Sequence, residues 1–208
     1  WGDVNTYGNA IFIAPSVSVS IKHASIRNSE GTAIVTNSAS VTIATSTIRN
    51  SGNLGISIAA IAVSPVLSGI TFINNQKDIE ASVSSVAGIS SLTNVAIYLR
   101  NDATSISCTI PKPGAGSYYV LDGGFQVSAN TTTTIAPGVE IRSMSYVDRI
   151  YVSGTLKAIG TVSDSIRFVG FDNQALNQNS THGGQLYFYT TSTNSELEYV
   201  AIDRWGDT

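Results

Sequence analysis

A thirteen-residue stretch that returns 22 positions later constrains this chain more than any other feature. Residues 17–29, VSVSIKHASIRNS, lie over residues 39–51, ASVTIATSTIRNS. Ile21 falls on Ile43, Ile26 on Ile48, and IRNS at 26–29 on IRNS at 48–51. A looser third copy ends in ITFINN at 70–75. Glycines precede each copy: Gly8 before Ala10-Ile11, Gly31 before Ala33-Ile34, and Gly55 before Ser57-Ile58. Self-similarity at about two dozen residues implies a solenoid in which each repeat is one coil.

Within a copy the apolar residues alternate, Val17, Val19, Ile21 and then Val41, Ile43. Alternation marks a strand with one buried face. No 3.6-residue pattern competes with it, so each coil is predicted to consist of short strands without a helix. That combination predicts an all-β chain, a right-handed parallel β-helix of about eight or nine rungs. At ~4.8 Å per rung it would extend roughly 40 Å. Asn28, Asn50 and Asn74 recur at equivalent turns. Stacked asparagines can bond one another rung to rung, because each amide both donates and accepts. Asn is also a common turn residue for local reasons.

The first 79 residues carry the clear coils. Over 80–110 the apolar supply continues through Val83, Val86, Ile89, Leu92, Val95 and Ile97, but the register is lost. PKPGAG at 111–116 is a strong break, and a loop excursion is predicted near 111–117. The pattern then restarts in TIAPGVEI (134–141), IYVSGTLKAIGT (150–161) and DSIRFVG (164–170), followed by GGQLYF (183–188) and LEYVAI (197–202). These runs resemble the right-handed parallel β-helix repeats of large bacterial surface proteins, of the tandem-repeat stalk and adhesin type. The resemblance covers most of 118–203 and, more loosely, 8–79. It implies a fold and carries over no active-site residue, since this architecture hosts lyases, glycosidases, adhesins and inert stalks.

The ends match one another. Trp1-Gly2-Asp3 opens the chain, and Trp205-Gly206-Asp207 stands 204 positions later. Trp occurs nowhere else, and both times Gly-Asp follows. Residues 1–208 are therefore expected to be a single β-helix unit, one period of about 204 residues in a longer tandem or stacked array. Neither end shows the capping helix or charged strand that would protect an exposed sheet edge.

Composition narrows the partners. Charged residues are 12% of the chain and the net charge is −3, with no basic run. This argues against nucleic acid and anionic membrane surfaces. No apolar run reaches membrane-spanning length. Ser and Thr make up roughly a quarter of the residues, and the one cysteine excludes a disulfide within the chain. The balance suits an extracellular or cell-surface protein. Cys108 reads as a small core residue rather than a nucleophile.

Chemistry is sparse. Asp78/Glu80 and Glu196/Glu198 have the i, i+2 spacing that sets two carboxylates on one strand face, a geometry more often solvated than catalytic. Asp172 and His182 form the best single cluster, and they lack a third partner. His23 continues the inward row, where a corner or core histidine is expected. Arg27 and Arg49 stack on neighbouring rungs, so each is expected to find a carboxylate such as Glu30 or to face water. There is no phosphate loop, metal-spaced His/Cys set or nucleophile elbow, and no cofactor is implied. Thr131 to Thr134 raise an ice- or glycan-binding array, but the aligned columns are short. Asn130 and Asn179 head glycosylation sequons. The reading is a non-catalytic structural unit of a rigid extracellular filament, joined end to end to identical units. The alternatives are a polysaccharide lyase or glycosidase, and a glycan-binding adhesin with Tyr187 and Tyr189 as its first candidates.

Overall fold

The structure, a computed structural model, describes residues 8–89, 91–145, 147–170 and 183–205. The chain divides into two compact units, residues 1–98 with 113–117, and residues 99–112 with 118–208. Each is a parallel β-solenoid, and together they make about seven turns. The count falls below eight or nine because the later coils are longer than the two dozen residues of the first copies.

In the first unit each coil lays down three strands. β1 (Ile11–Ile13), β4 (Ile34–Thr36), β7 (Leu54–Ile58) and β10 (Lys77–Ala81) are neighbours in that order. β2 (Val19–Lys22), β5 (Val41–Ala44) and β8 (Val66–Ser68) form a second sheet, and β3 (Ser25–Arg27), β6 (Thr47–Arg49) and β9 (Thr71–Ile73) a third. All pairings are parallel and in the register of the repeat: Ile21 on Ile43 on Leu67, Ile26 on Ile48 on Phe72. Alternate residues point inward and stack into apolar columns. Ile34, Ile43, Ile48, Ile56, Ile58, Leu67 and Ile79 are fully buried, each removing apolar surface worth ~1.5–3 kcal/mol from water.

The glycine alignment holds for the first pair and slips at the third. Ile34 pairs with Ile56 and not Ile58, so Gly55 lies two residues out of step with Gly31. Gly55 has its own reason to lack a side chain: an added Cβ would sit 2.9 Å from the Phe72 ring. Phe72 is the largest residue of its column, and the missing Cβ leaves it room.

Where the strand register was lost, the structure has a 3-10 helix, Val83–Ile89. Val83, Val86 and Ile89 recur every three residues and all are fully buried. Three residues per turn eclipses such positions on one face, so a helix of this kind can take a strand's place in the coil. Serines tie it to the turn before it: Ser84 Oγ accepts from Ala62 N and Ser85 Oγ from Val63 N, both at 3.2 Å. The expectation of coils without any helix is thereby corrected.

The Pro-Gly segment is also corrected. Residues 113–117 make no excursion but stack on residues 92–95. Asn94 N donates to Ala115 O at 2.9 Å, Val95 N to Ser117 Oγ at 2.9 Å, and Ser117 Oγ to Leu92 O at 2.9 Å. Gly114 passes so close to the Leu92 carbonyl that a Cβ would collide with it. Small residues and prolines break a strand here to make a tight, stacked corner.

The chain passes into the second unit through β11 (Ala96–Arg100). There, β12 (Cys108–Ile110), β15 (Thr132–Ile135), β18 (Thr155–Ile159) and β21 (Glu196–Glu198) form one sheet. β14 (Phe125–Val127), β17 (Arg149–Val152) and β20 (Gln185–Phe188) form another, and β13 (Tyr118–Asp122), β16 (Glu140–Ser143), β19 (Ile166–Val169) and β22 (Val200–Asp203) a third. The core columns of this unit run through Tyr119, Ile141 and Phe168, and through Phe125 and Ile150. Among the described residues no helix is long and apolar enough to cross a membrane.

Candidate functional site

Among the described residues, three places hold side chains that could act: an asparagine corner, the outermost coils, and the outer faces of the second unit.

Asn28, Asn50 and Asn74 all sit at positive φ, 57°, 55° and 52°. The corner after each third strand requires this left-handed conformation, which the short polar side chain of Asn tolerates. Asn50 Nδ2 donates to Asn28 Oδ1 at 3.0 Å. At the next rung Asn75 takes over the stitching: its Nδ2 donates to Ile48 O, and its Oδ1 accepts from Ser51 N, both at 3.1 Å. Backbone demand and side-chain bonding thus coincide. The preceding corner has the same conformation at His23 (φ 52°), Thr45 (φ 50°) and Gly69 (φ 57°). His23 is therefore an exposed corner residue, not a core one.

The outermost described coils leave inward columns open. In the first unit Val19, Ile21 and Ile26 are half-buried, whereas their partners Val41, Ile43 and Ile48 are buried. At the far coil of the second unit, Phe188 stacks on buried Val152, Leu197 on buried Ala158, and Ile202 on buried Phe168. Yet Phe188 is 40% exposed, Leu197 44% and Ile202 53%. Trp205 covers part of this face: its ring meets Phe168 edge-on at 5.4 Å and lies where a Gly184 side chain would be. Its indole Nε1 is buried without a hydrogen-bond partner among the described residues. Trp1, Gly2, Asp3, Gly206 and Asp207 lie outside the described residues, as do Asp172, Asn179 and His182.

On the outer face of β17 and β20, Tyr151 stands in register with Tyr187, and Tyr189 follows. Tyr151 and Tyr189 are nearly parallel at 5.9 Å, and Tyr187 is inclined to both, at 6.0 and 4.9 Å. Tyr187 and Tyr189 are each more than 40% exposed. Tyr151 was missed in the sequence because it lies 36 residues from its partner, far off the two-dozen period.

On the sheet of β16, β19 and β22 an open cavity of about 420 Å³ is lined by Glu140, Arg142, Ser143, Arg167, Val169, Gly170 and Arg204. Glu140 accepts from Arg142 Nε at 2.6 Å through Oε1 and from Arg167 Nη1 at 2.7 Å through Oε2. Asp148, behind Ser143, is 1% exposed. It accepts four bonds: from Gly123 N (2.9 Å), Ser143 Oγ (3.0 Å), Met144 N (2.7 Å) and Ser145 N (3.0 Å). A buried carboxylate so supplied with donors is a clamp on the 143–148 turn. In the sequence Asp148 looked like any other sparse acid.

The remaining candidates disperse. Asp78 and Glu80 do share the outer face of β10 and alternate with buried Ile79. Burial pushes the Asp78 carboxyl up from its ordinary value, opposed by bonds from Asn75 and the Ala96 backbone. Glu196 pairs with Lys157 at 3.0 Å, and Glu198 is exposed. Neither Arg27 nor Arg49 has a carboxylate within ion-pair distance among the described residues; Arg27 faces water. Cys108 is half-buried against Thr133 Oγ1 at 3.7 Å, and burial raises its thiol pKa, which disfavours the nucleophilic thiolate. Thr133 points inward and is fully buried, and the outward column runs Thr109, Thr134, Lys157, so no flat threonine array forms. Asn130 is exposed at a positive-φ turn. Among the described residues no three His, Cys, Asp or Glu side chains group as metal ligands would. Compared with known proteins, the chain matches no family model, no curated protein and no solved structure, so the parallel β-solenoid rests on its own strand register.

Proposed function

We propose that this chain is a non-catalytic structural unit of an extracellular filament or stalk, continued end to end by further coils of the same kind. The observation that carries the reading is the exposure of Phe188, Leu197 and Ile202 in columns whose previous members are buried. These side chains face along the stack rather than outward, so a further rung is the shape that would cover them. Such a rung would also offer backbone acceptors near the buried Trp205 Nε1. Its mechanism would be mechanical, with backbone bonds and a continuous aliphatic core running along the fibre axis.

Sedimentation and electron microscopy of the 208-residue chain test it. Expected are fibres or end-to-end oligomers with a ~4.8 Å axial spacing, abolished by Ile202→Asp and retained by the outward-facing Thr134→Asp. A monodisperse 21.8 kDa monomer at millimolar concentration would sink the reading.

A second reading, a surface adhesin that binds glycans, is favoured by the tyrosine cluster. A stalk needs no group of exposed aromatics on its outer face, whereas sugar rings stack on such surfaces through their C–H faces. Loss of glycan retention in Tyr187→Ala, with fibre formation intact, would separate this reading from the first. The hydrolase or lyase alternative gains nothing from the cavity, whose lining carboxylate, Glu140, is held by two arginines.

A further inference from the structure

The three clustered tyrosines belong to two neighbouring rungs, and their backbones are fixed against one another. Tyr151 on β17 is in register with Tyr187 on β20. Tyr189 lies just past β20, and its N donates to Val152 O at 2.9 Å, so the ladder holds it as well. Arg149 Nη1 donates to the Tyr151 hydroxyl at 3.2 Å and orients that ring. The ring centroids stand 6.0 Å apart for Tyr151 and Tyr187, 5.9 Å for Tyr151 and Tyr189, and 4.9 Å for Tyr187 and Tyr189. Tyr187 is 44% exposed and Tyr189 41%, so a small oxidant reaches the cluster. Tyr199 is 50% exposed but meets no aromatic ring among the described residues.

Phenols already in contact need no diffusive encounter to react with one another. A peroxidase with hydrogen peroxide takes one electron and one proton from each of two phenol hydroxyls. The two phenoxyl radicals join through a carbon–carbon bond between ring positions ortho to oxygen. The displaced ring hydrogens move to the oxygens and restore both phenols. The protein loses two hydrogen atoms, and the peroxide becomes two waters.

We propose that this cluster is a site of oxidative cross-linking, at which peroxide couples Tyr151 of one rung to Tyr187 or Tyr189 of the next. Tyr151 and Tyr187 are 36 residues apart (187 − 151). A link that closes so long a loop removes more freedom from the unfolded chain than one closing a short loop. The chain has one cysteine, so no disulfide within it can do the same. The proposal goes beyond the filament and glycan readings and rests on the ring positions alone.

Peroxidase and hydrogen peroxide applied to the dilute full chain, followed by trypsin and mass spectrometry, test this. Cleavage after Arg149, Lys157, Arg167 and Arg204 puts Tyr151 in peptide 150–157 and both of its partners in peptide 168–204. Expected is a linked pair of these peptides, two hydrogens lighter than their sum, in protein that still runs as a single chain on a denaturing gel. The treated protein should also melt at a higher temperature. Tyr151→Phe should abolish the linked pair, as should Tyr187→Phe combined with Tyr189→Phe, whereas Tyr199→Phe should leave it intact. Phenylalanine keeps each ring, and circular dichroism establishes that the variants fold. The proposal is overturned if no coupling occurs, if the bond stays within peptide 168–204, or if the pair appears only in cross-linked dimers. Persistence of the pair without Tyr187 and Tyr189 hydroxyls would assign the link to Tyr199 and overturn it too. So would equal yield of the pair in urea, since the reaction would then owe nothing to the fold.

Discussion

Registered partners among β1 to β10 of the first unit lie 22 to 24 residues apart; in the second the separation runs from 22, Tyr119 to Ile141, to 39, Ala158 to Leu197. A constant period returns each side chain to the same place. The first unit therefore stacks Ile on Ile and Asn on Asn, and its outer faces repeat themselves. A variable period inserts turns of different length between the same core columns. Unlike side chains then come together: Arg142, Arg167 and Arg204 round one cavity, Tyr151 against Tyr187, and Asp148 inside the turn that lengthens its coil. Regularity stabilises the stack, and unlike side chains meet where regularity is relaxed.

The comparison can be broken first at the core, where both units should respond alike. Phe168→Ala should cost about 3–5 kcal/mol and Ile56→Ala about 2–5 kcal/mol in denaturant unfolding, since both side chains are fully buried. A cost below 1 kcal/mol at either would mean that column is not packed as described.

The turn clamp should then separate the units. Asp148→Ala orphans three backbone N–H donors at once, while the Ser143 hydroxyl keeps Ser145 O at 2.8 Å, and should cost about 2–4 kcal/mol. Hydrogen exchange would show lost protection at the amides of Gly123, Met144 and Ser145, and unchanged protection there would refute the clamp.

A smaller effect belongs to the regular corner. Asn50→Ala loses the bond to Asn28 and places a Cβ residue at φ 55°, which should cost about 1–2 kcal/mol. Asn50→Gly keeps the backbone freedom and should cost less. Equal costs would assign the whole effect to the side-chain bond.

The smallest is a pH effect at Asp78, whose native carboxyl holds its proton more tightly than the ordinary value of 3.8. Its stabilising contribution is complete below that value and is lost as pH rises through the native pKa. Asp78→Asn should therefore gain stability relative to the parent as pH climbs from below 3.8 to neutrality. A difference independent of pH would contradict the burial of this carboxyl.

Much of this was legible in the residues. Alternation at Val41 and Ile43 and the IRNS copies give the strands, the parallel stacking and the register of the first unit. The 3-10 helix was legible too, in the spacing of Val83, Val86 and Ile89, but three-residue periodicity is short and weak beside the strand pattern around it. The Pro-Gly segment marked a break correctly and its geometry wrongly, since prolines and glycines suit a stacked corner as well as an outward loop. The arginines that line the cavity gave no signal. Arg142 and Arg167 are 25 residues apart and Arg204 another 37, and only the paired strands define them as neighbours.

By itself, then, the amino-acid order determined the kind of coil and the period of its first unit, because core columns and left-handed corners make local, repeated demands on residue type. Only the tertiary structure decided which outward side chains meet. Coil length sets which residues fall side by side, and in the second unit that length varies from turn to turn. The outward residues carry no periodic constraint that would reveal their neighbours.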